Sequence, residues 1–396
     1  MWREFDIGEV RDDMAQIASI GFDVVRFFAL TRDFLRAPMS VAPEMVARLG
    51  EVVLAAKDAG LKSMPTLITI NMSGRFWWPD WMVDAQGNPA DLFSDPEVLR
   101  SEALLVETCA HALTGEESIR AFDLSNEIDD AQRPRSRDAG WLWASLLANT
   151  VRRAAPGIPV QIGAHLVSLT NAEYLRIDDI AGVADEDVMH AYPLYCKTAR
   201  SFLDPELVPF CCALTAGLAR TGRPTLMQEF GLCTAPQGSK GQTITDDFLG
   251  RPLSQYLASE EEGATYYSEV LERLVATGAS GAYAWCHGDY DARLFGRAPL
   301  STAVRERTFG LVRADGSEKP AADVFRKFRQ RRDAGLLDLT AAPIPSVLDI
   351  TPDEYYAAPQ AHFDRLYTSW LSREPVEISA RPAATARGTD SAELTD

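Results

Sequence analysis

Cysteine and histidine are both scarce in this sequence. The six cysteines are spread over 396 residues with no C-x-x-C pair, and they are too sparse for a disulfide framework. We expect mostly free, buried thiols, with one or two bridges left open as the alternative. The five histidines show neither H-x-H nor H-E-x-x-H spacing, so the sequence predicts no metal centre.

Long apolar runs and basic clusters are missing as well. Without a run of 18 apolar residues, no membrane span is expected. The N-terminal segment lacks the charged-then-apolar layout of a signal peptide, so the chain as written is expected to be cytoplasmic. The net charge is −18, from 57 acidic and 39 basic residues. Such a surface repels nucleic acid and anionic lipid, and it is compatible with a neutral substrate such as a sugar.

Seven short apolar runs alternate with longer amphipathic segments. Helical patterns of 10–15 residues lie between the runs, which is typical of a parallel sheet in an α/β protein. The two candidate architectures are a (β/α)8 barrel and an open doubly wound sheet. No glycine-rich phosphate loop follows an early strand, which weakens the nucleotide-binding version of the open sheet. The predicted strands are 22–29, 62–70, 120–126, 158–164, 187–192, 223–229 and 281–286.

The composition changes past residue 335. Residues 1–335 form the predicted catalytic domain. Residues 336–377 contain apolar and aromatic side chains that could pack back onto it. Residues 378–396 are rich in Ala, Thr, Ser and Asp, a composition typical of a disordered tail.

Two glutamates stand where apolar runs end. Glu127 follows Asn126 after one predicted strand, and Glu229 ends another. Enzymes built on barrels carry their catalytic groups at the carboxyl ends of strands. Glycoside cleavage needs two facing carboxyl groups, one to protonate the leaving oxygen and one to attack the anomeric carbon. Either glutamate alone would be better explained as a surface group, but the two together favour catalysis.

These motifs resemble clan A of the glycoside hydrolases, most nearly family 5, which includes cellulases and mannanases. The resemblance runs from residue 1 to about residue 330. It implies a (β/α)8 TIM barrel and a retaining β-glycosidase that needs no cofactor, with a mannan or glucan as the first guess at the carbohydrate substrate. The matching positions are Val25-Arg26, Asn126-Glu127, His190-Ala-Tyr192, Glu229 and Trp285.

The resemblance also implies a role for each matching residue. Glu127 would be the acid/base and Glu229 the nucleophile. Asn126 would hydrogen-bond the sugar 2-hydroxyl, while Arg26 and Tyr192 would hold Glu229 ionised and aligned.

The other two matching positions, His190 and Trp285, would border the sugar, with Trp285 offering an aromatic face. Every supporting residue has a structural alternative. Arg26 could be an ion-pair partner, His190 a core histidine, and Tyr192 or Trp285 a core aromatic.

A loop rich in tryptophan follows the second predicted strand. Trp77 and Trp78 could stack on sugar rings as a substrate platform. They could equally pack a long loop onto the domain. The sequence does not separate these alternatives, although at least one tryptophan of this loop is expected to pack inward.

The front of the chain departs from the family pattern. A first strand of the type Gly-x-Asn-Tyr-x-x-Pro is expected before the Trp2 to Asp6 segment, and it is missing here. We interpret this as a true start that lies upstream, which would also allow a secreted location. Two alternatives stay open: an inactive truncated enzyme and a non-catalytic carbohydrate-binding barrel. The segment 306–320 also resembles these hydrolases, where it implies barrel closure.

Overall fold

The computed structural model describes residues 2–248, 250–337, 339, 345 and 347–373. It contains the seven expected parallel strands, each within a few residues of its predicted position, so the α/β class is confirmed. Lys62–Thr69 is buried along almost its whole length, as is usual for a parallel strand covered on both faces. The strands are β1 Val24–Leu30, β2 Lys62–Thr69, β3 Phe122–Ser125, β4 Val160–Gln161, β5 Val188–His190, β6 Leu226–Phe230 and β7 Gly281–Ala284.

The strands pair in chain order as two parallel sheets. One sheet has the order β1-β2-β3-β4 and the other the order β7-β6-β5. They meet at a single parallel bridge between His165 and His190, where the His190 amide donates to the Ala164 carbonyl at 2.8 Å. In the described ranges β1 and β7 are not paired with each other, and no closed barrel is seen. Their facing edges line a small cavity of about 110 Å³.

The helices follow the periodicity expected from the sequence, as the first one illustrates. Asp6 accepts from the amides of Gly8 and Glu9 and so caps the start of Ile7–Ile20. Gly21, at φ 107°, ends the helix in the left-handed conformation that glycine adopts most readily. The α-helices are Ile7–Ile20, Thr31–Phe34, Pro43–Asp58, Pro96–Ala112, Ile128–Ala131, Arg137–Ala154, Leu166–Thr170, Ile177–Ala181, Leu207–Ala219, Glu260–Ala276, Pro320–Asp333, Pro352–Ala357 and Pro359–Leu371.

Short antiparallel hairpins and 3₁₀ turns occur in the connections after the strands. The hairpins are Leu35–Ala37 with Ser40–Val41, Asn71–Met72 with Arg75–Phe76, and Gln242–Phe248 with Arg251–Leu257. The 3₁₀ turns are Asp80–Met82, Pro193–Tyr195, Ala292–Leu294 and Val304–Thr308.

The last two helices pack back onto the α/β core through tyrosines. Tyr355 donates to the Leu169 carbonyl at 2.6 Å, and Tyr356 donates to the Ser168 carbonyl at 3.0 Å. Tyr367 donates to Asp204 at 2.7 Å. The described part of the predicted extension therefore contacts the segment 1–335, whereas the predicted disordered tail, 378–396, lies outside the described residues.

Two further expectations from the composition can be compared with the structure. All six cysteines are free, as the sparse spacing predicts. Among the helices in the described ranges, none is long and apolar enough to cross a membrane.

Candidate active site

Glu127 follows β3 directly and has an unusual backbone conformation. Its φ is 43° and its ψ is 47°, in the left-handed region that residues other than glycine rarely adopt. Strain of this kind persists where the surrounding structure enforces it, and it is concentrated at functional sites. The conformation turns the chain sharply from β3 into the short helix Ile128–Ala131 and leaves the Glu127 side chain in the cavity described below.

Glu229 lies on β6 with both carboxylate oxygens hydrogen-bonded. Arg26 of β1 donates from Nη1 to Glu229 Oε2 at 2.7 Å. Tyr192 donates from its hydroxyl to Glu229 Oε1 at 2.5 Å. Burial and the neighbouring Glu229 raise the pKa of Tyr192 well above its usual value, so Tyr192 remains a donor at every physiological pH. The two contacts fix the orientation of the Glu229 carboxylate, because each donor holds a different oxygen.

Arg26 is itself fixed by a buried carboxylate that the sequence reasoning did not identify. Its Nη2 and Nε donate to Asp123 Oδ2 at 2.8 and 3.1 Å, and Nη2 also donates to Asn126 Oδ1 at 2.9 Å. Thr66 donates to the same Asp123 oxygen at 2.7 Å. Asn126 donates from Nδ2 to the Asn71 carbonyl at 3.0 Å, which leaves its second Nδ2 hydrogen for a ligand.

Glu127 is held on the other side by a chain of three side chains. Glu127 Oε1 lies 2.9 Å from His190 Nδ1. His190 Nε2 lies 2.8 Å from Gln228 Oε1, and Gln228 in turn donates to Gln161 at 2.6 Å. This orientation of Gln228 assigns a hydrogen to His190 Nε2. A contact of 2.9 Å then requires one proton between His190 Nδ1 and Glu127, because two lone pairs would repel each other.

The charges around Glu127 determine the protonation state of its carboxyl group. Burial opposes ionisation of Glu127, yet the His190 hydrogen bond and the charges of His165 and Arg26 lower its pKa to about 2. Glu127 is therefore ionised at neutral pH and accepts the hydrogen bond from His190.

A second group of charges adjoins Glu127. His165 Nε2 lies 3.1 Å from Asp129, and its Nδ1 lies 3.9 Å from Asp130. Burial disfavours the His165 cation, but Asp130 and Asp129 outweigh burial and raise the pKa of His165 to about 10. Burial raises the pKa of Asp130 to about 6 against the opposing charge of His165. Asn71 links this group to Glu127 by donating to Glu127 at 3.2 Å and to Asp130 at 3.3 Å.

The two glutamates face each other at close range. One carboxylate oxygen of Glu127 and one of Glu229 lie within 4.8 Å. Retaining glycosidases hold their carboxyl groups roughly 5–5.5 Å apart, and inverting enzymes about 6.5–9.5 Å apart. An oxygen–oxygen approach within 4.8 Å is shorter than the carboxyl separation of inverting enzymes and close to that of retaining enzymes.

A cavity of about 720 Å³ opens over this pair. Trp285, which follows β7, borders it, and the Trp285–Cys286 peptide bond is cis. The cavity therefore brings together most of the residues that the sequence analysis selected. Those that line it are Asn126, Glu127, His190, Tyr192, Glu229 and Trp285, with Arg26 directly beneath Glu229.

The tryptophan loop is the part of the prediction that the geometry does not support. Neither Trp77 nor Trp78 is among the residues lining the cavity. Trp77 donates to the Met72 carbonyl at 3.0 Å and lies against the guanidinium groups of Arg32 and Arg75. Trp78 packs against the core. The inward-packing alternative fits Trp78, because apolar loop surface is more stable when buried.

Two sets of side chains in the described ranges are close enough to share a cation, and both include Glu127. The first is Glu127, His190 and Glu229, and the second is Glu127, Asp130 and His165. In the first set, Glu229 already has a guanidinium at 2.7 Å. In the second set, the raised pKa of His165 keeps its ring protonated, and an imidazolium has no lone pair for a metal. The absence of a metal centre stays a prediction.

Several cavity residues were missed by the sequence reasoning. Asn71 follows β2 and His165 follows β4, so the rule that strand ends carry function could have found both. Asp123 lies inside β3 and carried no such signal. Glu306 lies far along the chain, in a segment interpreted only as barrel closure, and it lines the cavity too.

Comparison with known proteins shows which class of protein shares this fold. No protein-family model matches the chain, and no curated protein matches it. Solved structures of glycoside hydrolases do share its architecture. Their sequence identities to this chain, given below, are low, so the likeness concerns the fold. The shared fold confirms the resemblance to family 5.

Three structures illustrate the likeness. GH5_18 from Streptomyces cattleya in complex with GlcNAc superposes with a TM-score of 0.76 at 22% identity, covering 93% of this chain and 87% of that chain. A variant of that protein with Manβ1-4GlcNAc gives 0.75 at 21% identity, covering 93% and 88%. The exo-β-1,4-mannosidase Op5Man5 from Opitutaceae bacterium strain TAV5 gives 0.69 at 25% identity, covering 84% of this chain and 57% of that chain.

Proposed function

We propose that the chain is a retaining β-glycoside hydrolase that removes a terminal sugar, most readily from a β-mannoside. The observation that carries the proposal is the close approach of Glu127 and Glu229, each with its own set of hydrogen-bond donors. The sugar follows from the neighbours: one similar structure holds Manβ1-4GlcNAc, and another is an exo-β-1,4-mannosidase. The cavity volume of about 720 Å³ suits a small saccharide.

In the first step Glu229 attacks the anomeric carbon while the glycosidic oxygen receives a proton from Glu127. The proton comes from the Glu127–His190 pair, whose 2.9 Å contact allows it to return to Glu127 when a sugar displaces water. The C–O bond to the leaving group breaks, and a covalent glycosyl-enzyme forms on Glu229. Asn126 has a free Nδ2 hydrogen for the 2-hydroxyl, a contact that strengthens in the transition state.

In the second step Glu127 acts as a base. It removes a proton from water, and the resulting hydroxide displaces Glu229 from the anomeric carbon with overall retention. Arg26 and Tyr192 stabilise the departing carboxylate because both donate to it. The chemistry needs no cofactor, so activity is expected to survive dialysis against a chelator.

Contacts between two loops support action at a chain end. Ser73, in the loop after β2, lies 3.0 Å from the hydroxyl of Tyr290, in the loop after β7. Gly74 packs against Ala303 so closely that an added Cβ would lie 3.2 Å from the Ala303 Cβ. Ser73 and Gly74 both line the cavity, so these loops join at its wall. A joined wall there would stop a polysaccharide from running through and would admit only a terminal residue.

We also infer that the seven strands belong to the eight-stranded barrel of the family. The remaining position would lie between β1 and β7, whose edges face a shared cavity. A strand added there would pair with both edges, as barrels require.

The decisive experiment traps the covalent intermediate. The chain is incubated with 2-deoxy-2-fluoro-β-mannosyl and β-glucosyl fluorides, and any adduct is mapped by peptide mass spectrometry. We expect one sugar on Glu229, because the fluorine slows breakdown of the glycosyl-enzyme. Glu229→Gln is the matched control and should stay unlabelled.

An adduct on another residue, or turnover with inversion, would contradict the proposal. Binding of sugars without any turnover, unchanged in Glu229→Gln, would instead support a carbohydrate-binding domain. The observation that favours this second candidate is that, among the described residues, β1 and β7 each have an edge without a strand partner.

A further inference from the structure

Glu306 is a carboxylate of the cavity that has no part in the proposed reaction. It belongs to the 3₁₀ turn Val304–Thr308, is 7% exposed and lines the cavity. A carboxylate this buried is costly unless it is paired or serves a ligand.

The partners of Glu306 all contact one of its two oxygens. Oε1 lies 3.4 Å from the Tyr195 hydroxyl and 3.4 Å from Arg305 Nε. Both distances are long for hydrogen bonds to a carboxylate. Arg305 is closer to Asp246, at 2.7 Å, so most of its charge is already compensated.

The second oxygen of Glu306 points to a ligand. Oε2 has no hydrogen-bond partner among the described residues. It is also not one of the buried, unpartnered polar atoms found in those residues, so solvent can reach it. It is therefore open to the cavity. An acceptor with vacant lone pairs at the wall of a sugar-sized cavity is suited to hydroxyl groups.

The turn that carries Glu306 is held firmly in place. Asp246 of the hairpin Gln242–Phe248 accepts from the amides of Val304 and Arg305 at 2.6 and 3.1 Å. The loop after β2 packs on the other face, where a Cβ at Gly74 would lie 3.6 Å from the Glu306 side chain. A residue anchored in this way can discriminate between ligands, because it does not move to suit each one.

Glu306 also lies on the Glu229 side of the cavity. Tyr195 contacts Glu306, and its ring centroid is 5.5 Å from that of Tyr192, the residue that donates to Glu229. The sugar that Glu229 attacks must occupy this side. Glu306 and Glu229 both line the cavity, and their charges interact.

We propose that Glu306 is a recognition residue for the terminal sugar: Oε2 accepts from its hydroxyl groups, and the negative charge rejects sugars that carry a carboxylate. This inference rests on the proposed glycosidase function. The substrates it selects are neutral hexosides, and uronides are disfavoured because like charges meet in a poorly hydrated cavity.

The test compares Glu306→Gln with the native chain on aryl β-mannoside, β-glucoside and β-glucuronide. Gln keeps the shape and one acceptor but removes the charge, and Asp291→Asn removes a charge from the same connection at a site that does not line the cavity. We expect Glu306→Gln to lower kcat/KM for the neutral substrate about 10- to 100-fold. The preference over glucuronide should shrink, and labelling of Glu229 by the fluoro sugar should persist.

Unchanged kcat/KM and unchanged preference in Glu306→Gln, with an active native chain, would overturn the inference and leave the glycosidase proposal intact. If the native chain turns over none of the three, the glycosidase proposal fails, and binding of methyl β-mannoside and methyl β-glucuronide is measured by calorimetry. Weaker neutral-sugar binding in Glu306→Gln would still support a recognition role. Equal binding in both chains would refute it.

Discussion

The two sides of the cavity hold their glutamates by different means. On one side Glu229 receives hydrogens from Arg26 and Tyr192, neither of which changes protonation at physiological pH. On the other side Glu127 contacts His190 and lies beside the Asp130–His165 group, so its neighbours are imidazole and carboxyl side chains. A nucleophile needs one constant charge, whereas an acid/base must gain and lose a proton. The difference between the two environments thus matches the difference between the two proposed roles.

The largest effects should come from removing the glutamates themselves. Glu229→Ala should lower kcat by about 10⁴-fold or more, because no other group can form the covalent intermediate. Glu127→Ala should cost about 10²- to 10⁴-fold, and less with a leaving group that needs no proton. Steady-state rates with nitrophenyl and alkyl mannosides measure both. Added azide should yield the β-glycosyl azide with Glu127→Ala, by attack on the glycosyl-enzyme, and the α-glycosyl azide with Glu229→Ala, by taking the place of the missing carboxylate. The same anomer from both variants would contradict the proposed division of roles.

The next largest effect should come from weakening the ion pair that holds Arg26 beside Glu229. Asp123→Asn removes the charge that holds Arg26, and loss of one member of a buried pair typically costs about 3–5 kcal/mol of stability. We expect a fall of that order in the free energy of unfolding, measured with urea, together with a lower kcat. Glu44→Gln is the matched control, since its pair with Arg36 is half exposed, and it should change stability by less than about 1 kcal/mol. Similar losses in the two variants would contradict the ion-pair account.

The Glu127 side should show a pH signature that the Glu229 side lacks. The pKa of His165, raised to about 10, exceeds the unfolded value of about 6.5. The stability this group contributes is therefore complete below pH 6.5 and is lost as the pH rises towards 10. We expect His165→Gln to be less stable than the native chain by about 1–3 kcal/mol at pH 7. By pH 10 most of this difference in the free energy of unfolding should disappear. A difference that stays constant with pH would mean that His165 is not charged.

The smallest effect concerns selectivity. Burial raises the pKa of Glu306 to about 7, with Asp246 and Glu229 adding to the effect and Arg305 opposing it. Below pH 7 the carboxyl gains a proton and stops repelling a uronide, so the preference for mannoside over glucuronide should fall a few-fold between pH 8 and pH 5.5. The ratio of the two kcat/KM values, measured across this range, reports the change. In Glu306→Gln this ratio should not change with pH. If the ratio of the native chain does not change either, the charge of Glu306 does not account for the preference.

The strands and the paired glutamates could be predicted because their signals are local. Apolar runs such as 62–70 have the length of a strand, and a carboxylate that ends such a run must emerge at the sheet edge. Glu306 could not be found in this way, since it reaches the cavity through a loop whose path depends on distant contacts, among them the hydrogen bonds of that turn to Asp246. Asp123 was missed because a polar residue inside an apolar run gives no indication of a partner on another strand. The role of Trp77 and Trp78 stays a prediction, because aromatic density does not reveal which face of a side chain is exposed.

The unpaired edges of β1 and β7 have a consequence for how the protein behaves at high concentration. Each edge presents amide and carbonyl groups without strand partners in the described residues, and an extended segment of any other molecule can pair with such a row. Association between copies would then depend on protein concentration and on the half-buried aromatic residues nearby, such as Tyr283.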